Sequence, residues 1–138
     1  MGFIMHNGTG LVESVLAADS AALILRLRGD LDRPAAAQAG TDLRVATVTL
    51  PPPALVVVDL TAVQFFSAAA IHALEGFAAG CAGRGSRTRL VTEAGSIVHR
   101  ILELIEFSPH VPVFTSLDQA VTARSWYPCE GSTEDGGS

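Results

Sequence analysis

Ser67 has the best claim to nucleophilic chemistry in this chain, because it stands where an apolar stretch gives way to a helical pattern. A serine at such a corner attacks carbonyl carbon when glycines permit a sharp elbow and a His–acid pair activates it. Here the flanks are Phe66 and Ala68, and no His and acid follow in that arrangement. The position suits instead a helix N-cap, whose hydroxyl accepts a backbone N–H of the first turn. His6, His72, His99 and His110 lack the short spacing that turns two imidazoles toward one metal. Asp30 and Asp32 are two acids in a Gly-Asp-Leu-Asp turn, far short of a calcium loop, and Asp32 is placed to cap a helix. The run Gly80-Cys81-Ala82-Gly83-Arg84-Gly85 is rich in glycine but closes a helical pattern. Phosphate cradles need the opposite end, where unpaired N–H groups face the anion. These residues predict no catalytic centre, no metal and no cofactor.

The elements that hold them follow from periodicity. Leu11 to Ala18 alternates loosely and predicts a first strand. In the stretch 21–28, Leu23, Leu25 and Leu27 face one way and Arg26 and Arg28 the other, as in a half-buried strand. Gly29 to Asp32 is expected to break it, and a helix follows from Ala35 to about Val48. Pro51-Pro52-Pro53 forbids helix. The run Ala54 to Leu60 is apolar and rich in valine, the mark of a central strand covered on both faces, with Asp59 expected near its carboxyl end. Thr61 to Phe66 reads as a short connection and Ala68 to Gly83 as a helix with Ile71, Leu74, Phe77, Ala78 and Cys81 inward. A strand over Arg87 to Thr92 comes next. A helix with an apolar stripe of Ile97, Ile101, Leu104 and Ile105 then precedes a short edge strand from Val111 to Phe114. Ser116 and Gln119 form a capping box for a last helix, Leu117 to Arg124. The order β-β-α-β-α-β-α-β-α predicts an α/β domain with a mostly parallel central sheet of about five strands.

Composition narrows the function. A chain of 138 residues suits one core. Net charge is −5, and the nine basic residues, all arginine, are scattered. No basic patch results, which argues against a nucleic-acid or anionic-membrane partner. The N-terminus lacks the basic, apolar and cleavage regions of a signal peptide, and no apolar run reaches the ~18 residues of a membrane span. Cys81 and Cys129 fit no metal motif, so the expected location is the reducing cytoplasm. From Pro128 onward the chain is Gly, Ser, Thr and acids. The expected organisation is one domain over 1–126 and a flexible acidic tail over 127–138.

The stretch from Val57 to Leu74, VVDLTAVQFFSAAAIHAL, resembles the signature of the STAS family, the anti-sigma-factor antagonists. That signature is an apolar strand ending in Asp-Leu, a short apolar link, then Asp-Ser-Ser-Gly-Leu opening a helix with a leucine three residues on. Arg28-Gly29-Asp30-Leu31-Asp32 is similar to the upstream turn of the family, and the later strands and helices follow its order over residues 10–124. The departures carry meaning. Ser67 stands in place of the family Asp, Ala68 in place of the serine that a partner kinase phosphorylates, Ala69 in place of the second serine and Ala70 in place of the glycine.

The resemblance implies a binding protein, not an enzyme. Its partner would be an anti-sigma factor of the histidine-kinase-like ATPase type, a protein kinase, met without phosphorylation control. The contact surface would comprise Asp30, Asp32, Phe66, Ser67, Ala68, Ala69, Ala70 and Ile71. Ser67 itself, one residue out of register, is the alternative phosphoacceptor. A homodimer stays open, and so does a STAS scaffold or a small-ligand or nucleotide-binding regulatory module.

Overall fold

The valine run that predicts a central strand does form one. In the computed structural model, which describes residues 3–6, 12–17, 22–47, 55–105, 107 and 111–122, Leu55 to Leu60 are all buried. They belong to β4 (Leu55–Phe66), which lies between β3 (Ala22–Leu31) and β5 (Arg87–Val91), parallel to both. β6 (Val113–Phe114) extends the parallel part to four strands, with Pro112 just outside it. β1 (Phe3–His6) and β2 (Val12–Ala17) complete the sheet as antiparallel strands, in the order β1-β2-β3-β4-β5-β6. Among the described residues the sheet therefore has six strands instead of about five, the addition being β1. The stretch Phe3–His6 is too short to show a period of its own, and pairing with β2 defines it.

Among the described residues three helices connect these strands, α1 (Arg33–Thr47), α2 (Ala68–Gly83) and α3 (Ile97–Ile105), and a fourth, α4 (Leu117–Thr122), follows β6. Strand alternation sorts the core into two layers. Leu23, Leu25 and Leu27 of β3 with Val56, Val58 and Leu60 of β4 pack against Leu43 of α1, Leu74 and Phe77 of α2, and Val98 and Leu102 of α3. On the other face Ile24, Val57, Val91 and Phe114 pack against Ala120 of α4. Arg89 is buried among them, donates Nη1–H to the Ala120 carbonyl at 2.8 Å and lies 5.8 Å from the Phe114 ring centroid. Its desolvation, and then the Arg87 charge, lower its pKa from the ordinary arginine value.

Two expectations change. β3 does not end at Gly29 but runs on to Leu31, and the expected connection after Leu60 is the second half of β4. The cause is bulging, which is uncommon in parallel pairs. Arg26 faces Asp59 while Leu31 faces Phe66, so β4 accommodates two extra residues over this span. Gly29 has φ +86°, a conformation that a side chain would strain, and it stands beside the second register shift. A strand that swallows irregular residues looks like a turn in sequence.

The apolar stripe expected on α3 is also seated differently. Val98 and Leu102 face the core, Ile101 is half-buried, and Ile97, Leu104 and Ile105 are exposed. The closing helix is described to Thr122, and the expected boundary at 126 and the tail beyond it lie outside the described residues, as does Cys129.

Candidate functional site

Each helix begins at the carboxyl edge of the parallel strands, and each begins with a side-chain cap. Asp32 Oδ1 accepts the Ala35 N–H at 3.1 Å for α1. Ser67 Oγ accepts the Ala70 N–H at 3.1 Å for α2. Ser96 Oγ takes the His99 N–H at 3.1 Å for α3, and Ser116 Oγ the Gln119 N–H at 3.3 Å for α4. These caps satisfy N–H groups that the helix itself leaves unpaired. Ser67 thus holds the capping role its sequence position suggests.

Two of these starts are tied together. The Ser67 N–H donates to the Leu31 carbonyl at 3.1 Å, which fixes the beginning of α2 against the end of β3. Asp30, Asp32 and the first turn of α2 consequently share one edge. Asp30, Asp32 and Ala68 are exposed, while Ser67, Ala69 and Ile71 are partly so. Phe66 and Ala70, at 5% and 3% exposure, belong to the core instead, and their side chains are closed to a partner. The helical period explains Ala70, two residues beyond the outward Ala68; the strand period explains Phe66.

The same strand period exposes a residue that the sequence reading missed. Phe65 is 51% exposed and lies opposite Asp30 in the β3–β4 register. With 61–66 taken as a connection, neither of two successive phenylalanines has an assigned face. Read as a strand, one points in and its neighbour out.

Asp59, expected near the carboxyl edge, sits mid-strand and is buried. Arg26 Nε donates to its Oδ2 at 3.2 Å, while the Thr61 N–H and hydroxyl donate to Oδ1 at 3.0 and 2.7 Å. The carboxylate organises the first register shift and does not reach the surface patch. Between α1 and α2 a narrow crevice is lined by apolar residues, among them Leu27, Leu31, Leu43, Phe66 and Leu74, so it offers no group for acid–base work. Among the described residues no three His, Cys, Asp or Glu converge to hold a metal ion. His72 is exposed on α2. His99 is half-buried, with Nδ1 2.7 Å from the Thr92 hydroxyl and Nε2 3.2 Å from Glu103. Thr92 has no solvent exposure, so this trio presents no nucleophile. No helix of the described residues is long and apolar enough to cross a membrane.

The arrangement is a surface with a short acidic rim, an outward aromatic ring and an uncharged helix start. The family model for the STAS domain matches residues 14–120, which covers β3 to β6 and all four helices except the last two residues of α4. The chain belongs to the STAS family. Among solved structures, this STAS domain is similar to an anti-sigma factor antagonist from Mycobacterium paratuberculosis. That match has 18% identity and a TM-score of 0.66, covering 89% of this chain and 92% of that one. The protein TM1081 matches with 14% identity and a TM-score of 0.62, over 84% of this chain and 88% of that one. SpoIIAA, an anti-sigma factor antagonist in its unphosphorylated form, matches with 15% identity and a TM-score of 0.50, over 80% and 86%. At these identities the likeness is one of fold. No curated protein matches the chain.

Proposed function

We propose that this STAS domain is an anti-sigma factor antagonist that docks on an anti-sigma factor of the histidine-kinase-like ATPase type. Docking uses the start of α2 together with the carboxyl ends of β3 and β4. The observation that carries this reading is Ala68: it is exposed at the first helical position after the Ser67 cap, and it has no hydroxyl. A phosphate there would bring about −1.5 to −2 charges to a docking face, where repulsion and desolvation would expel a partner. Alanine cannot receive it, so the start of α2 stays uncharged and binding is constitutive. Two solved structures of similar fold are anti-sigma factor antagonists, which supports this choice of partner.

Phe65 is the anchor of the surface. Aromatic side chains, phenylalanine among them, are enriched in the cores of protein interfaces. Asp30 and Asp32 supply the polar rim.

The experiment is a titration of the chain against each anti-sigma factor encoded in the same genome. Saturable binding to one of them, lost in Phe65→Ala, is the expected outcome; uniform failure contradicts the proposal. Calorimetry with ATP and GTP covers the nucleotide-binding alternative, for which the apolar crevice between α1 and α2 offers no phosphate ligand.

A further inference from the structure

The carboxyl ends of β3 and β4 finish level only because β4 takes up two extra residues. Counted from the pair Arg26 and Asp59, an unbroken register would set Leu31 opposite Gln64; it stands opposite Phe66. Without the two shifts α2 would begin two residues farther out, about 7 Å at the rise of a strand. Its start would then lie beyond the reach of the Leu31 carbonyl, which now accepts the Ser67 N–H at 3.1 Å. The level of the docking edge is therefore set mid-strand, at the bulges.

The first shift sets Leu60 and Thr61 together against Leu27. A bulge turns a peptide out of the ladder, and a turned-out N–H needs another acceptor. Asp59 Oδ1 supplies one: the Thr61 N–H donates to it at 3.0 Å and the Thr61 hydroxyl at 2.7 Å. An aspartate that accepts from backbone two residues on holds a local turn of this kind. Arg26 Nε, from the facing residue of β3, donates to Oδ2 at 3.2 Å and steadies the carboxylate. Asp59 is buried and Arg26 half-exposed, so solvent weakens the ion pair and the Thr61 bonds carry more of the hold. The second shift is made by backbone instead, with Gln64 as its extra residue and Gly29 at φ +86°.

We propose that Asp59 is a positioning residue of the docking face. Its carboxylate stays away from the partner. By fixing the first shift it sets how far β4 carries the start of α2, and so places Ser67 and Ala68 beside the end of β3. What docks there rests on the antagonist reading; the positioning rests on this chain alone.

The test measures amide hydrogen exchange in the full chain, together with its affinity for the anti-sigma factor it binds. In Asp59→Ala the Ser67 and Ala70 amides should gain about tenfold or more in exchange rate over those of Val56, Val57 and Val58, the scale of a buried group deprived of its hydrogen-bond partner. Affinity should fall by a similar factor. Asp59→Asn keeps an oxygen for Thr61 and should bring both readouts back to within about threefold of the wild type. Thr61→Val removes only a hydroxyl from an exposed position. It should move the same amides by about fivefold, and it reads the effect if Asp59→Ala does not fold. Acceleration shared equally along β4 would make Asp59 a core residue only and overturn the proposal. Faster exchange at Ser67 with unchanged affinity overturns it too, as does an Asp59→Asn chain that restores neither readout. A wild-type chain that binds no anti-sigma factor, while Ser67 and Ala70 respond as expected, overturns the antagonist reading and upholds the positioning.

Discussion

Position 68 tests whether the docking face works through charge. Ala68 is exposed and begins a capped helix. Ala68→Ser should change stability by less than about 0.5 kcal/mol, as surface substitutions do. Ala68→Asp should be neutral or stabilising by about 0.3–1 kcal/mol, since an anion near a helix N-terminus is favoured. It should nevertheless weaken partner binding tenfold or more. Opposite signs in thermal melting and in titration would separate docking from folding. Ser67 behaves in the other way: Ser67→Ala removes the Oγ that accepts the Ala70 N–H and should cost about 1 kcal/mol. Phe65→Ala should leave melting almost unchanged and reduce affinity by about thirtyfold or more, the threshold of a hot spot at about 2 kcal/mol. Much of the residue-scale account is legible in sequence, because caps and lost hydroxyls are matters of residue type. Phe65 is not, because its outward aim depends on a strand that two bulges conceal.

At the scale of elements, the bulged pair β3–β4 places the acidic rim. Gly29 has nothing within 4 Å of where a Cβ would lie, so only its backbone opposes substitution. Gly29→Ala should cost about 1 kcal/mol or more through its positive φ. It should also lower partner affinity, by displacing Asp30 and Asp32 relative to α2. Denaturant unfolding together with titration checks both effects. α2 is the element that sequence defines best: capping serine, inward stripe and terminal glycines give its bounds as Ala68–Gly83. α3 shows the converse. Its apolar arc is wide enough for two faces, and periodicity alone does not say which half the sheet will take; Val98 and Leu102 win because they join the main core, where α3 packs against β4. The early end expected for β3 has the same kind of cause, since a glycine and two aspartates signal a turn whether or not a neighbouring strand bulges to keep them paired.

In the molecule as a whole, parallel strands put every helix start on one edge, and that edge carries the proposed function. The order of β3 to α4 is readable because apolar runs alternate with helical stripes. β1 is not, because a strand of four residues takes its definition from its partner. Cys81 reports on the integrity of the whole. It is buried in the main core, and burial pushes its thiol pKa above 9.0, the Thr88 and Arg84 contacts opposing the shift only in part. The unfolded chain ionises first, so this contribution to stability is intact below pH 9 and fades as pH rises through the folded value. Native Cys81 should accordingly resist alkylation in a Cys129→Ser chain until denaturant is added; rapid native labelling would contradict the packing. The most direct measurement of the central claim is an affinity titration against the cognate anti-sigma kinase before and after incubation with ATP. The wild-type chain should gain no phosphate and bind equally well in both conditions, whereas Ala68→Ser should gain one phosphate and lose affinity. Phosphorylation of the wild type at Ser67, or undiminished binding by Ala68→Asp, would contradict a docking helix start that stays permanently uncharged.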